Sequence, residues 1–143
     1  MAIIVSDQGF SPDDWTGHFL NWEQVESDQG KIDPGNALDV PNFLDGNELV
    51  EVFDRVALIR IPFPAHVDGR GFSLARRLRR LGFGGRLRAK GHILADQFVF
   101  ARRCGFDEIE IDDDLARRQP EEVWLPEAGW ERNNYQQRLT ASP

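Results

Sequence analysis

The feature that most constrains the fold is a regular alternation of strand-like and helix-like segments in the second half of the chain. Val56–Ile61 is a β-branched apolar run that ends at prolines, and it predicts a buried strand. Arg86–Ala89 and Phe106–Ile111 predict two further strands, each preceded by a helix and short connections. This order corresponds to two successive βαβ units, whose right-handed crossovers make neighbouring strands parallel. We therefore expect an α/β fold with a βαβαβ core of three parallel strands, in an incomplete barrel-like or three-layer sheet.

Two helices are predicted between these strands. The first follows Ser73 and ends at Gly82, and the second, Ile93–Cys104, ends at Gly105. Leucines and arginines alternate along the first helix at the spacing that buries one helix face and exposes the other. The leucines are Leu74, Leu78 and Leu81, and the arginines are Arg76, Arg77, Arg79 and Arg80.

The first 46 residues are rich in turn-forming residues, and their organisation is less clear. The apolar patches Ile3–Val5, Phe19–Val25 and Leu38–Val40 predict short strands or irregular cover. A chain of 143 residues, 41% of them apolar, has the commonest size of one domain. We therefore expect a single α/β domain over residues 1–143, with a polar tail from about residue 131.

Three features predict a cytoplasmic protein. No apolar run approaches the ~20 residues that span a bilayer, so we expect no membrane association. The segment Met1–Val5 lacks the basic residues that begin a signal peptide. The chain has one cysteine, Cys104, which excludes a disulfide within the chain.

The charge distribution is uneven. The net charge is −7, which argues against general affinity for nucleic acid or for anionic membranes. Between Arg70 and Arg103, however, there are ten Arg or Lys residues and a single acid, Asp96. A solvated helix face explains the four arginines of the first helix better than RNA or DNA binding does, because no aromatic residues are interleaved with them. An acidic partner protein is the other interpretation of this face.

One ordered pattern of residues runs through this basic stretch and just beyond it, at Asp68–Ser73, Leu78-Arg79, Gly85–Gly91, Asp96-Gln97 and Arg103–Asp107. In this pattern the chain resembles the bacterial domain of unknown function 934 family. Proteins of that family are often labelled probable oxidoreductases, and they are commonly encoded beside sulfite reductase and other sulfate-assimilation enzymes. The resemblance therefore implies a role in sulfur metabolism.

The chain departs from the family pattern at three positions. Arg86 stands where the family usually has Glu, Lys90 replaces a small apolar residue, and His92 replaces a usual Asp. These departures make the second loop more basic than is typical, and any role that the family gives to an acid at residues 86 and 92 does not transfer to this chain.

A candidate site lies where two predicted parallel strands end. Asp68–Gly71 follows the first strand and Lys90–His92 follows the second, so both loops should open on the same edge of the sheet, where ligands of α/β proteins bind. Each loop leads into a predicted helix N-terminus, which favours an anion. The sequence thus predicts a pocket for a small oxyanion, a phosphate or a nucleotide. The candidate ligand-binding residues are Asp68, Arg70, Ser73, Arg88, Lys90, Gly91, His92 and Gln97.

The alternative is a tight turn in which Arg70 pairs with Asp68 or Asp96. Neither a GxGxxG fingerprint nor a Walker loop is present, so the sequence leaves the cofactor unknown. A zinc site is not expected either, since His18, His66 and His92 lack metal-ligand spacing.

Asp96 is the candidate catalytic residue. It lies within the apolar run of the second predicted helix, where a carboxylate must find partners or change its pKa. It is either a general acid/base or one half of a structural salt bridge to Arg70, Arg88 or Arg103. Cys104, at a helix C-terminus, is expected to be a buried structural cysteine, because it lacks the helix N-terminus that activates a thiol.

Two functions fit these observations. The first is an accessory or interaction protein of assimilatory sulfite or sulfate reduction, which docks on sulfite reductase or its electron donor, or binds an oxyanion, through the basic loops. The second is a small enzyme on a βα scaffold, a possible oxidoreductase. It would act on an anionic sulfur or phosphate metabolite with Asp96 as acid/base. The missing cofactor motif favours the first function. Convergence of Asp68, Arg70 and Asp96 in one pocket would favour the second.

Overall fold

A computed structural model describes residues 2–27, 35–65 and 67–128, which build one seven-stranded mixed sheet flanked by helices. The spatial order of the strands is β2-β1-β7-β6-β5-β4-β3. Their bounds are β1 Ile3–Ser6, β2 Gly9–Pro12, β3 Phe19–Asn21, β4 Asn36–Asp39, β5 Val56–Phe63, β6 Arg86–Gly91 and β7 Glu108–Ile111. The predicted C-terminal tail lies outside the described residues.

Five neighbouring strands, β3 to β7, are parallel and follow the order of the chain. The prediction that β5, β6 and β7 are parallel neighbours is confirmed, with Ile59 opposite Leu87 and Ala89 opposite Ile109. The apolar patches of the first 46 residues supply two more parallel strands, β3 and β4. The patch Ile3–Val5 lies in β1, which forms an antiparallel hairpin with β2, a strand that the sequence did not predict. β1 also pairs antiparallel with β7.

The helices pack through one apolar layer. Their bounds are α1 Trp22–Ser27, α2 Arg70–Arg80, α3 Phe98–Cys104, α4 Asp113–Arg118 and α5 Glu121–Ala128, with 3₁₀ segments at Gly46–Val52 and Ala95–Gln97. Side chains from all of these helices, such as Leu78 and Trp124, share one buried cluster with alternate strand residues, such as Ile61 and Ile109. Consecutive parallel strands with right-handed crossovers place their helices on the same face. The sheet is therefore an open, barrel-like segment that does not close on itself, and its other face carries no helix within the described residues.

The first predicted helix begins at Arg70 rather than after Ser73. The Asp68 carboxylate accepts the backbone N–H of Arg70 at 3.1 Å, which replaces a helical hydrogen bond missing at the start of α2. Gly71 packs against the ring of Phe63, and a residue with a Cβ atom would not fit there, because that atom would lie 2.4 Å from the ring. The extra turn of α2 therefore depends on an acid and a glycine that the helix pattern alone does not reveal.

The second predicted helix is shorter than Ile93–Cys104. The Gln97 Oε1 atom accepts the Leu94 N–H at 2.8 Å and caps a 3₁₀ turn, after which α3 begins at Phe98. The predicted end is confirmed, since Gly105 adopts a left-handed φ of 112° after α3. Asp96 thus lies on the capped turn and not inside an α-helix.

The two faces of α2 provide a test of the packing. Leu78→Ala should lower the free energy of unfolding by about 2–5 kcal/mol, because Leu78 is fully buried in the apolar cluster. Arg77→Ala, on the exposed face, should change it by no more than about 0.5 kcal/mol. Urea unfolding of both variants measures the difference, and equal losses would contradict this assignment of the helix faces.

Candidate functional site

A cleft of about 490 Å³ opens at the carboxyl ends of the parallel strands. The second predicted loop contributes three of its lining residues, Lys90, Gly91 and His92, and Arg60 of β5 lies beside them. This is the edge at which ligands bind in open α/β sheets. Three of the eight predicted ligand-binding residues therefore lie at this concave surface. Further lining residues are Asn21, Glu23, Asp39, Pro41, Pro62 and Pro64.

The loop Lys90–His92 is pinned to the end of β5. The His92 N–H donates to the Phe63 carbonyl at 2.9 Å. Gly91 has a φ of 125°, and a Cβ atom on it would lie 2.4 Å from the same carbonyl oxygen. The side chain of Lys90 is half-exposed, and its Nζ lies 3.8 Å from Glu110 Oε2. Only glycine fits at residue 91, and its two neighbours are thereby held at the rim of the cleft.

The backbone of this loop does not offer a helix N-terminus to an anion. The Ile93 N–H donates to the Gly91 carbonyl, and the Leu94 N–H donates to the Gln97 side chain. The Ala95 N–H donates to Gln119 Oε1 at 2.7 Å. The N–H donors that the sequence predicted to be free are therefore satisfied within the protein, and anion binding in the cleft would depend on the side chains of Lys90 and His92.

The first predicted loop forms the tight turn that the sequence offered as an alternative. Arg70 donates its Nε and Nη2 to the two Asp68 oxygens at 3.1 and 2.9 Å. These hydrogen bonds, with the Arg70 N–H and the Asn42 amide, hold the pKa of Asp68 well below its ordinary value. Arg70 and Ser73 line a separate, smaller depression of about 380 Å³. Asp68, Arg70 and Ser73 thus lie around the start of α2, apart from the residues that line the cleft.

Arg88 is the predicted ligand whose position differs most from expectation. Its side chain is 0% exposed and lies on the helix-free face of the sheet instead of at the edge. Its Nε donates to Glu108 at 2.6 Å and its Nη1 to Glu110 at 2.9 Å. Burial on its own lowers the pKa of Arg88, but hydrogen bonds and charge from Asp13, Glu108 and Glu110 outweigh burial and raise it. The guanidinium is buried because carboxylates on the next strand face it.

The helix-free side of the sheet is a band of opposite charges, which we call the charged face. One row crosses four adjacent strands, with Arg60 between Asp39 and Arg88, and Arg88 opposite Glu108. Arg60 donates to Asp39 at 2.5 and 2.7 Å and to Glu110 at 3.1 Å. Its guanidinium stacks on the ring of Phe19, 3.6 Å from the ring centroid. The members of the charged face are Asp39, Arg60, Arg86, Arg88, Lys90, Glu108 and Glu110.

The spacing of charged residues along two strands is a sequence signal for this face. Side chains two residues apart on a strand lie on the same side of the sheet. Arg86, Arg88 and Lys90 are spaced in that way on β6, as are Glu108 and Glu110 on the adjacent β7. Parallel pairing of these two strands therefore implies a row of ion pairs.

A six-residue segment, Asp13–His18, crosses the charged face, and we call it the strap. It connects β2 to β3, which lie at opposite edges of the sheet. The Asp13 carboxylate accepts from Nη1 and Nη2 of Arg88, both at 3.1 Å, and Asp14 accepts from Arg86 at 3.0 Å. Burial raises the pKa of Asp13, but hydrogen bonds from the Trp15 N–H and from Arg88 outweigh burial and lower it.

Asp96 and Gln97 have different environments from those predicted. Asp96 is exposed on the 3₁₀ turn, so the expectation of a carboxylate buried in an apolar helix is wrong. The reason is the early cap by Gln97, whose side chain is engaged with the Leu94 N–H. Asp96 is not among the residues that line the cleft, so Asp68, Arg70 and Asp96 do not converge there.

Several residues that carry the family resemblance hold the fold together. Arg79 donates to the carbonyls of Phe83, Gly85 and Gly105 at 2.7–3.0 Å, and its Nη2 donates to Asp107 at 2.9 Å. Asp107 also accepts the Leu87 N–H at 2.9 Å. One arginine thereby joins α2 to the turns that precede β6 and β7.

Cys104 is buried, as the sequence predicted. Burial raises the pKa of its thiol, and the nearby Arg76 offsets only part of that effect. The protonated thiol is a poor nucleophile, which fits a structural role.

Two predicted absences can be compared with the described part of the chain. Over residues 2–27, 35–65 and 67–128, no group of three or more His, Cys, Asp or Glu side chains is placed to hold a metal ion. Within the same ranges, no helix has the length and apolar character to cross a membrane. His66, one of the three histidines considered above, lies outside the described residues.

A comparison with protein families finds a match. The family described as bacterial protein of unknown function (DUF934) matches residues 37–142 of the chain. The matched range includes β5 to β7, most of β4 and the cleft residues from Asp39 onward, and it leaves out the hairpin, the strap and β3. No curated protein and no solved structure matches the chain.

Proposed function

The chain belongs to the DUF934 family of bacterial proteins of unknown function, and from that premise we propose that it is an accessory protein of assimilatory sulfite or sulfate reduction. In this proposal the carboxyl edge of the sheet docks on an anionic surface of a partner, such as sulfite reductase or its electron donor. The sulfur context comes from the resemblance described above. The observation that carries the docking role is the combination, at one edge, of the basic cleft rim with exposed apolar side chains.

The basic rim consists of Lys90 and His92. The Lys90 ammonium is half-exposed and makes one long contact, 3.8 Å, with a carboxylate among the described residues. Arg60, deeper in the cleft, is already paired with Asp39 and Glu110. A single acidic group of a partner, or one small oxyanion, matches the charge that Lys90 and His92 offer at the rim.

The apolar part of the same edge favours a protein partner. Phe43 is 72% exposed and Val67 is 81% exposed, and they follow β4 and β5 respectively. Asn42 donates to Asp68 at 3.0 Å, which ties these two loops together directly beside the exposed side chains. Isolated exposed apolar residues are ordinary, but a pair on linked loops beside a cleft is typical of a docking surface.

The enzyme hypothesis is the second candidate. The position of the cleft, beyond the carboxyl ends of parallel strands, is the position at which α/β enzymes bind their substrates. In this alternative the cleft takes an anionic sulfur or phosphate metabolite. His92 and Asp39, which line the cleft, replace Asp96 as the candidate acid and base.

Calorimetry at low salt separates the two functions, since charge contacts are screened at high salt. Purified sulfite reductase and, separately, sulfite, sulfate and phosphate are titrated with the protein. We expect sulfite reductase to bind and Phe43→Ala and Lys90→Ala each to weaken binding about tenfold, because a few anchoring residues carry most of the energy of an interface and these two are the proposed anchors. Arg80→Ala, which removes an exposed positive charge at the C-terminal end of α2, is the matched control and should leave the affinity unchanged.

The opposite pattern would support the enzyme. Binding of a small anion that requires Lys90 but is indifferent to Phe43 would favour the metabolite site. If neither the protein partner nor any of the anions binds at millimolar concentration, the proposal fails.

A further inference from the structure

We propose that the charged face holds a second, covered anion site, in which the Asp13 carboxylate takes the place of a small oxyanion. When the strap Asp13–His18 lifts, a ligand with two oxygens on one side binds the Arg88 guanidinium. Sulfate, sulfite, phosphate and carboxylates share this chemistry. The proposed site lies around Arg88, which does not line the cleft, although Asp39, Arg60 and Lys90 belong to both the cleft and the charged face. The inference does not depend on the proposed function.

The contact between Asp13 and Arg88 has the geometry of oxyanion recognition. Both carboxylate oxygens of Asp13 accept, one from Nη1 and one from Nη2, each at 3.1 Å. A guanidinium binds planar and tetrahedral oxyanions through the same two-pronged contact. The remaining donors keep Arg88 in place without the strap, because Nε is bound to Glu108 and Nη1 also to Glu110. The site is therefore preformed beneath the strap.

The charges of the face leave room for an external anion. Without the strap, the face contains four cations and three carboxylates, and the strap adds the carboxylates of Asp13 and Asp14. An anion that displaces Asp13 therefore enters a cluster with a positive excess. Arg86 would lie beside it, since its Nη2 already reaches both Asp14 and Glu108.

The strap is attached by contacts that an external anion can replace. It has no regular secondary structure, and five of its six residues are exposed. Its ion pairs to Arg88 and Arg86 involve carboxylates that water can reach, since the side chains of Asp13 and Asp14 are 29% and 69% exposed. The Trp15 indole N–H is buried without a hydrogen-bond partner among the described residues. Closing the strap thus leaves one polar group unsatisfied, which opening can relieve.

Asp13→Asn tests the proposal directly. Asparagine keeps a side-chain oxygen that accepts from the backbone N–H of Trp15, but it removes the negative charge that competes with an external anion. Sulfate, sulfite and phosphate are titrated at constant ionic strength, and we expect at least one of them to bind Asp13→Asn about tenfold or more tightly than wild type. Asp7→Asn is the matched control, because Asp7 makes the same two-pronged contact with Arg102, at 3.0 and 2.8 Å, away from the charged face.

Three outcomes would overturn the covered site. The first is unchanged affinity in Asp13→Asn. The second is an equal gain in Asp7→Asn, which would indicate a general effect of net charge. The third is loss of the gain when His92→Ala, a change at the cleft rim and outside the charged face, is added to Asp13→Asn, since the anion would then occupy the cleft, and the proposed function would be unaffected.

A measurement on the wild-type protein covers the case in which Asp13→Asn does not fold. The Trp15 indole N–H signal, assigned with Trp15→Phe, should shift and exchange faster with water when sulfate replaces chloride at equal ionic strength. The Trp124 indole, which donates to the Gln119 carbonyl at 2.8 Å in the helix layer, is the internal reference and should not respond. A Trp15 signal that stays as constant as that of Trp124 would contradict the inference.

Discussion

Arg88→Met is expected to lower the free energy of unfolding by about 3–5 kcal/mol, the usual cost of removing one partner from a buried ion cluster. Arg88 is fully buried, and its removal takes their shared cation from the carboxylates of Glu108 and Glu110, which are 9% and 6% exposed. Glu108 then keeps its contact with Arg86, and Glu110 keeps its contacts with Arg60 and Lys90. Most of the loss comes from these desolvated charges and not from the missing side chain itself. Urea unfolding at pH 7 measures it.

A partner substitution separates the two contributions. In the double variant Arg88→Met, Glu108→Gln one of the stranded charges is also gone, so the double variant should be more stable than Arg88→Met alone. Arg70→Met is the exposed control. Its side chain is 62% exposed, and exposed ion pairs contribute little to stability. If Arg70→Met and Arg88→Met unfold at the same urea concentration, the charged face does not have the structural role described above.

Gly91→Ala is the second substitution for which we expect a large effect, a loss of about 3 kcal/mol or more. A left-handed backbone costs of order 1–3 kcal/mol for a residue with a Cβ atom, and here that atom would also lie 2.4 Å from the Phe63 carbonyl oxygen. Phe63 or the loop would have to move. Because Gly91 lies between two residues of the cleft rim, the variant should also lose affinity for the partner.

Substitutions at Gly82 and Gly84 separate the cost of the left-handed backbone from the cost of the steric clash. Gly82 has a φ of 105° with no atom within 4 Å of the added Cβ, so Gly82→Ala carries the backbone strain alone. Gly84 is open in the same sense and has no such backbone strain. Stability should therefore fall in the order Gly84→Ala, Gly82→Ala, Gly91→Ala. Thermal unfolding gives the ranking, and a loss for Gly91→Ala no greater than for Gly82→Ala would refute the steric argument.

The backbone of the second half of the chain was predictable because its signals are local. Prolines, glycines and β-branched runs punctuate β5, α2, β6 and β7, and the crossover rule then determines their parallel arrangement. The helix starts were less predictable, since they depend on side-chain caps. Asp68 and Gln97 each satisfy a backbone N–H and change where a helix begins.

The candidate site was only partly predictable, because sequence order does not say which side of a strand a ligand meets. Lys90, Gly91 and His92 line the cleft, because β6 ends at Gly91 and the carboxyl ends of parallel strands meet at this edge. Arg88, only two residues earlier, belongs to the buried charged face. Its partner in the strap, Asp13, lies 75 residues away in the chain, and no local sequence pattern connects the two.

The pairing of β1 with β7 brings the beginning and the end of the described sheet together, with Ile3 opposite Ile111. The β1–β2 hairpin is synthesised before β7, the strand on which it docks. Until the hairpin docks, β7 presents an unpaired edge with two isoleucines, which is a template for pairing with another copy of the chain. In the folded sheet the hairpin covers that edge, so we expect variants that weaken the contact between β1 and β7 to self-associate more readily.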